Sequence, residues 1–75
     1  MSPSSLRVCV VGLGYIGLPT AAVIARSGAS VLGIDISPRV VETINAGRIH
    51  IEEANLESLV HDMVATGSLR AALAP

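Results

Sequence analysis

Val8-Cys9-Val10-Val11-Gly12-Leu13-Gly14-Tyr15-Ile16-Gly17 is a short apolar run, mostly β-branched, that breaks into three glycines spaced G-x-G-x-x-G. Each glycine answers a separate physical demand. Gly12 lets the chain turn sharply out of a strand, Gly14 lets backbone approach a pyrophosphate closely, and Gly17 lets the following helix pack tightly on the sheet. The first N–H groups of that helix, with the positive end of its dipole, form an anion site that needs no charged side chain. Spaced glycines alone are common, so the flanks decide the reading. A strand-like run precedes the motif, a helix-like run follows it, and a second strand-like run, Val31-Leu32-Gly33-Ile34-Asp35-Ile36, ends in an acid. Asp35 stands 18 residues past Gly17, close to the offset of about 20 at which a carboxylate accepts hydrogen bonds from the ribose hydroxyls of a bound dinucleotide. The pattern predicts a dinucleotide-binding βαβ unit; the alternative is an ordinary βαβ turn with an incidental acid.

Upstream, residues 1–5 read as a polar, proline-containing lead-in. Residues 6–11 read as a parallel strand covered on both faces, because the run is nearly continuously apolar instead of alternating. Such a strand belongs in the middle of a sheet, and Cys9 within it reads as an inert core thiol. Downstream, a helix is predicted over 15–27, with Leu18, Ala21, Ala22 and Ala25 facing the sheet, Pro19 loosening its first turn and Gly28 ending it. Gly33 marks a close backbone approach or a packing constraint. Ser37 is the expected N-cap of a second helix, with Pro38 at its first position, Val40, Val41 and Ile44 inward, and Asn45-Ala46-Gly47 at its end. Arg48-Ile49-His50-Ile51 looks extended. A third helix carries Leu56, Leu59, Val60, Met63 and Val64 on one face, Glu52 and Glu53 suit its dipole, and Gly67 closes it. Residues 68–75 could begin the approach to another strand. The fold class is α/β: the N-terminal portion of a Rossmann-type doubly wound parallel sheet, β-α-β-α-α and incomplete.

Composition limits the alternatives. At 75 residues with an apolar fraction of 51% and a single aromatic residue, Tyr15, the core must be built from aliphatic side chains and alanines. Five arginines without lysine face six acids, a formal net charge of −1, so the basic excess that nucleic acid or an anionic membrane surface requires is missing. The uncharged span over 8–25 is long enough to suggest a membrane helix, but three glycines and Pro19 interrupt it. Without a recognisable signal peptide, and with a lone cysteine, the expected compartment is the cytoplasm. His50 and His61 have no cysteine near them, so no metal site is predicted. Arg39, four residues past Asp35, lies either near the adenine and phosphates or on the surface. With two strands predicted, one apolar strand edge is left open, which favours association.

Gly12-Leu13-Gly14-Tyr15-Ile16-Gly17-Leu18-Pro19-Thr20-Ala21 resembles the opening of the UDP-glucose/GDP-mannose dehydrogenase family. Thr43-Ile44-Asn45-Ala46-Gly47-Arg48-Ile49-His50-Ile51, with Leu59-Val60 and Gly67-Ser68-Leu69-Arg70-Ala71, narrows the resemblance to the branch that acts on an N-acetylated UDP-hexosamine. The family commonly has a Glu-Pro pair where Glu53 is followed here by Ala54. The resemblance implies an NAD-dependent oxidation of a nucleotide-sugar C6 alcohol to a carboxylate, with NAD contacts at Tyr15, Ile16 and Asp35; together with the loop read above, the expected cofactor site is Gly12, Leu13, Gly14, Tyr15, Ile16, Gly17 and Asp35. It places the family's catalytic cysteine and lysine far beyond residue 75, so no catalytic residue is expected in this chain. The full-length parent is expected to bind a UDP-sugar and to assemble with copies of itself. The UDP-glucose and GDP-mannose branches remain alternatives, as does a non-catalytic dinucleotide-binding fragment.

Overall fold

The computed structural model describes residues 6–75, so the lead-in at residues 1–5 lies outside the described residues. Along the chain run β1 (Arg7–Val11), α1 (Gly17–Arg26), β2 (Ser30–Ile34), α2 (Pro38–Asn45), α3 (Leu56–Ala65) and β3 (Leu69–Ala72). The strands form one parallel sheet in the order β1-β2-β3, with Val10 opposite Gly33 and Gly33 opposite Ala71. This is the expected Rossmann-type α/β arrangement, extended by a third strand where only an approach to one was foreseen. Four residues suffice for it, because Leu69 and Ala71 are buried on one side of Arg70, which is exposed.

Both crossovers step the same way across the sheet, and right-handed connections then bring all the helices to one face. Val8, Val10, Val31, Leu69 and Ala71 turn toward them and join the core. Arg7, Cys9, Ser30, Leu32 and Arg70 line the opposite, open face. One expectation about the first strand is corrected by this arrangement. β1 lies at the edge of the described sheet, the open edge anticipated above, but it is covered on one face only, so Cys9 is exposed instead of buried. Val11 is 79% exposed for the same reason. A continuous apolar run reports that a strand suits burial on both faces; it does not say which residues supply the cover.

The predicted stripe of α1 is buried in full: Leu18, Ala21, Ala22 and Ala25. The helix starts two residues later than the pattern suggested, because Tyr15 and Ile16 belong to the turn that follows the glycine-rich loop. Pro19 therefore sits third in the helix, among the N–H positions without an intrahelical partner, and does not disturb the first turn. Gly28, at φ +109°, ends the helix as expected. Ser37 caps α2, its Oγ accepting the Val40 N–H at 3.4 Å. Residues 48–51 are not a strand: they form an irregular connection that turns Ile51 into the core. Leu13, Leu18, Ile44, Val60 and Leu69 are the largest fully enclosed side chains, each contributing about 1.5–3 kcal/mol by leaving water.

Asn45, foreseen only as the end of α2, ties that helix to the sheet. Its Nδ2 donates to the Ala71 carbonyl at 2.8 Å and its Oδ1 accepts the Ala71 N–H at 2.8 Å. The side-chain amide thus takes the place of a neighbouring strand at the middle of β3.

Candidate functional site

The C-terminal ends of β1 and β2 meet at the glycine-rich loop. The Gly12 N–H donates to the Ile34 carbonyl at 2.7 Å, so the loop is still tied to β2 as it leaves β1. A φ of +88° at Gly12 makes the turn, a conformation that disfavours any side chain. Gly17 lies so close to the Gly12 carbonyl that a Cβ there would overlap it. Gly14 is different: a Cβ at this position would meet nothing within 4 Å. The chain itself therefore requires the first and third glycines, whereas nothing within the described residues requires the second, which faces open space.

What surrounds Gly14 suits an anionic group. Ile16 stands at the N-cap of α1 without a side-chain capping bond, and the first turn carries no acid. The helix start thus offers N–H groups and positive dipole to a ligand. The side chains of Tyr15 and Ile16 are 67% and 83% exposed beside it.

Asp35 follows β2 directly and holds the loop. Its Oδ2 accepts the Leu13 N–H at 3.0 Å and its Oδ1 accepts the Ser37 N–H at 3.0 Å. The Leu13 N–H, and after it the Ser37 N–H, hold the carboxyl below its ordinary value of 3.8; desolvation opposes them, and the nearby charge of His50 adds to the lowering. A carboxylate offers about four lone-pair sites, so two stay available for hydroxyl donors. Leu13 itself points inward and is fully buried, its side chain lying against Gly33. Only its backbone can face a ligand.

The structure thus brings Gly12, Leu13, Gly14, Tyr15, Ile16, Gly17 and Asp35 to one end of the sheet. Of the other candidates, Arg39 is exposed and lines a surface depression with Glu42, Thr43 and Arg48, and Cys9 lies on the open face with Arg7 and Arg70. His61 packs beside Gly47, and no group of three or more His, Cys, Asp or Glu among the described residues could hold a metal ion. The span over 8–25 divides into β1, the loop and most of α1; among the described residues no helix is long and apolar enough to cross a membrane. Sequence reasoning missed the Ser37 N–H and His50 as neighbours of Asp35. The Ser37 contact had a signal, an Asp two positions before a helix cap; the His50 contact had none, because it arises from the irregular path of residues 48–51.

Comparison with known proteins agrees with this geometry. A profile of the UDP-glucose/GDP-mannose dehydrogenase family, NAD binding domain, matches residues 6–74. The chain is 52% identical over 69 residues to the UDP-N-acetyl-D-mannosamine dehydrogenase of Campylobacter jejuni, covering 92% of this chain and 17% of that protein. It is 54% identical to the NDP-N-acetyl-D-galactosaminuronic acid dehydrogenase of Ralstonia nicotianae, covering 91% of this chain and 16% of that protein. The solved UDP-N-acetyl-mannosamine dehydrogenase of Staphylococcus aureus superposes with a TM-score of 0.89 at 39% identity, over 92% of this chain and 17% of that structure. The chain thus spans about a sixth of the length of the relatives it matches.

Proposed function

Because the chain belongs to the UDP-glucose/GDP-mannose dehydrogenase family and matches its NAD-binding domain, we propose that it is the cofactor-binding N-terminal segment of an enzyme that oxidises UDP-N-acetyl-D-mannosamine to UDP-N-acetyl-D-mannosaminuronate. The observation that carries the NAD-binding role is Gly14, a glycine that neither backbone conformation nor packing requires, set at the uncapped start of α1. The sugar is supported by the names of the relatives at about half identity; the UDP-glucose and GDP-mannose branches are the alternatives.

NAD⁺ supplies the hydride acceptor, and oxidation of an alcohol to a carboxylate removes four electrons, hence two NAD⁺ per sugar. The residues of this chain bind and orient. The backbone at Gly12, Leu13 and Gly14 and the N–H groups of Tyr15, Ile16 and Gly17 hold the pyrophosphate, and the free lone pairs of Asp35 accept the adenosine ribose hydroxyls. The Asp35 carboxylate repels a 2′-phosphate, and Ile36 stands where an arginine would be needed to receive one. The chemistry itself is assigned to residues outside this segment. Cys9 is unsuited to it, because it lies on β1 before the loop and on the sheet's open face. The full-length enzyme is a cytoplasmic homo-oligomer that needs neither nucleic acid nor membrane.

Two measurements test the proposal. NAD⁺ and NADP⁺ are titrated into the chain and into Asp35→Ala; NADP⁺ binding as tightly as NAD⁺ to the unmutated chain overturns the role of Asp35. The whole reading frame is then assayed for NADH formation with UDP-N-acetylmannosamine, UDP-glucose and GDP-mannose. Faster turnover of either of the last two sinks the assigned sugar.

A further inference from the structure

We propose that Gly33 is a positioning residue for the glycine-rich loop: by having no side chain, it forms the socket into which Leu13 locks, and so sets the loop from β2. The inference rests on the reading of this loop as the cofactor site. A Cβ at Gly33 would lie 2.6 Å and 2.9 Å from the two Leu13 Cδ atoms and 3.2 Å from its Cγ. The tips of a leucine can usually swing aside into solvent, but Leu13 is completely enclosed. Its backbone is equally confined, because the Gly12 N–H is held by the Ile34 carbonyl and the Leu13 N–H by Asp35 Oδ2. Three consecutive residues of β2 and its end, Gly33, Ile34 and Asp35, thus fix the side chain of Leu13, the N–H of Gly12 and the N–H of Leu13. Pushing Leu13 out of its socket must strain those two bonds and shift the backbone that Gly14 continues. Gly33 has ordinary strand geometry, so an alanine there is opposed by packing alone.

Amide hydrogen exchange on the ¹⁵N-labelled chain tests this. The Gly12 and Leu13 N–H groups report the loop, and those of Ser30 and Val31, bonded to the Leu6 and Ser68 carbonyls, report the sheet. Gly33→Ala should exchange about tenfold faster at Gly12 and Leu13 with the sheet amides nearly unchanged, the typical effect of one extra methyl in a filled core. Adding Leu13→Val, which removes about the volume the alanine introduced, should bring both loop amides back to within about threefold of the unmutated chain. Unchanged loop amides in Gly33→Ala, or equal acceleration at all four sites, overturns the proposal, as does failure of the second substitution to rescue. An unmutated chain without affinity for NAD⁺ would contradict the proposed function, while the exchange comparison would still decide the role of Gly33.

Discussion

Replacing Asn45 by alanine removes two hydrogen bonds, each 2.8 Å long, between α2 and the centre of β3. A net contribution of about 0.5–1.5 kcal/mol per bond gives about 2 kcal/mol. Ala71 is only 4% exposed, so water poorly replaces the lost partners, and the loss should not fall below that sum. Alanine's better helix propensity returns at most about 0.7 kcal/mol. The net cost of about 1.5 kcal/mol corresponds to a melting temperature lower by roughly 6–12 °C in a domain of this size. Far-UV circular dichroism is the suitable readout, since the chain has no tryptophan and its only tyrosine is exposed. Asn45→Asp separates the two bonds: it keeps an acceptor for the Ala71 N–H but turns a second oxygen toward the Ala71 carbonyl, so it should melt no higher than the alanine variant. An Asn45→Ala chain melting within about 2 °C of the unmutated one would falsify the claim that this amide fastens helix to strand.

Gly14→Val should fold normally, because the added atoms at Cβ meet nothing, yet lose at least about a hundredfold in NAD⁺ affinity, ~2.7 kcal/mol; retained affinity in calorimetry refutes the close approach at this glycine. Cys9 is exposed on the open face, so a thiol reagent should label the native chain nearly as fast as the unfolded one, and strong protection in buffer would contradict the described face. Asp35 is held below 3.8 in the folded chain, so its contribution to stability is complete above that value and is lost as pH falls through the lower, folded-state value. Its carboxyl carbon, followed by NMR, should titrate with a midpoint below 3.8, and a midpoint above it rejects the clamp on Leu13.

Much of this was legible in the residues because local rules and tertiary demands coincided. The stripe Leu18, Ala21, Ala22 and Ala25, the Ser37 cap and the stop at Gly28 are each decided within a few residues, and each is found in place. The meeting of the loop and Asp35 was legible because a strand, G-x-G-x-x-G, a helix and a second strand ending in an acid bring the two strand ends together. The placement of Cys9 was not, since exposure depends on which face the helices cover, and that follows from the direction of both crossovers. Asn45 was read as a helix end because its partner is 26 residues away. Residues 48–51 have the composition of a strand, but their apolar side chains are used to plug the core instead of pairing.

The Asn45 amide also gives the sheet a direction of growth. The Ser68 and Ala72 carbonyls accept from β2 and the residue after it, so by the alternation of the ladder Ala71 turns its N–H and carbonyl outward, and there Asn45 already stands. An incoming strand meets the Asn45 amide on that side at Ala71, whereas among the described residues no such stopper stands on the outer side of β1. A particle with two open edges can add copies without end, as fibrils do; a particle with one can only meet a second copy edge to edge about a two-fold axis, after which no open edge is left. Among the described residues pairing is therefore directed to the outer side of β1, and Asn45→Ala, by unstopping β3, is the substitution that opens the second side.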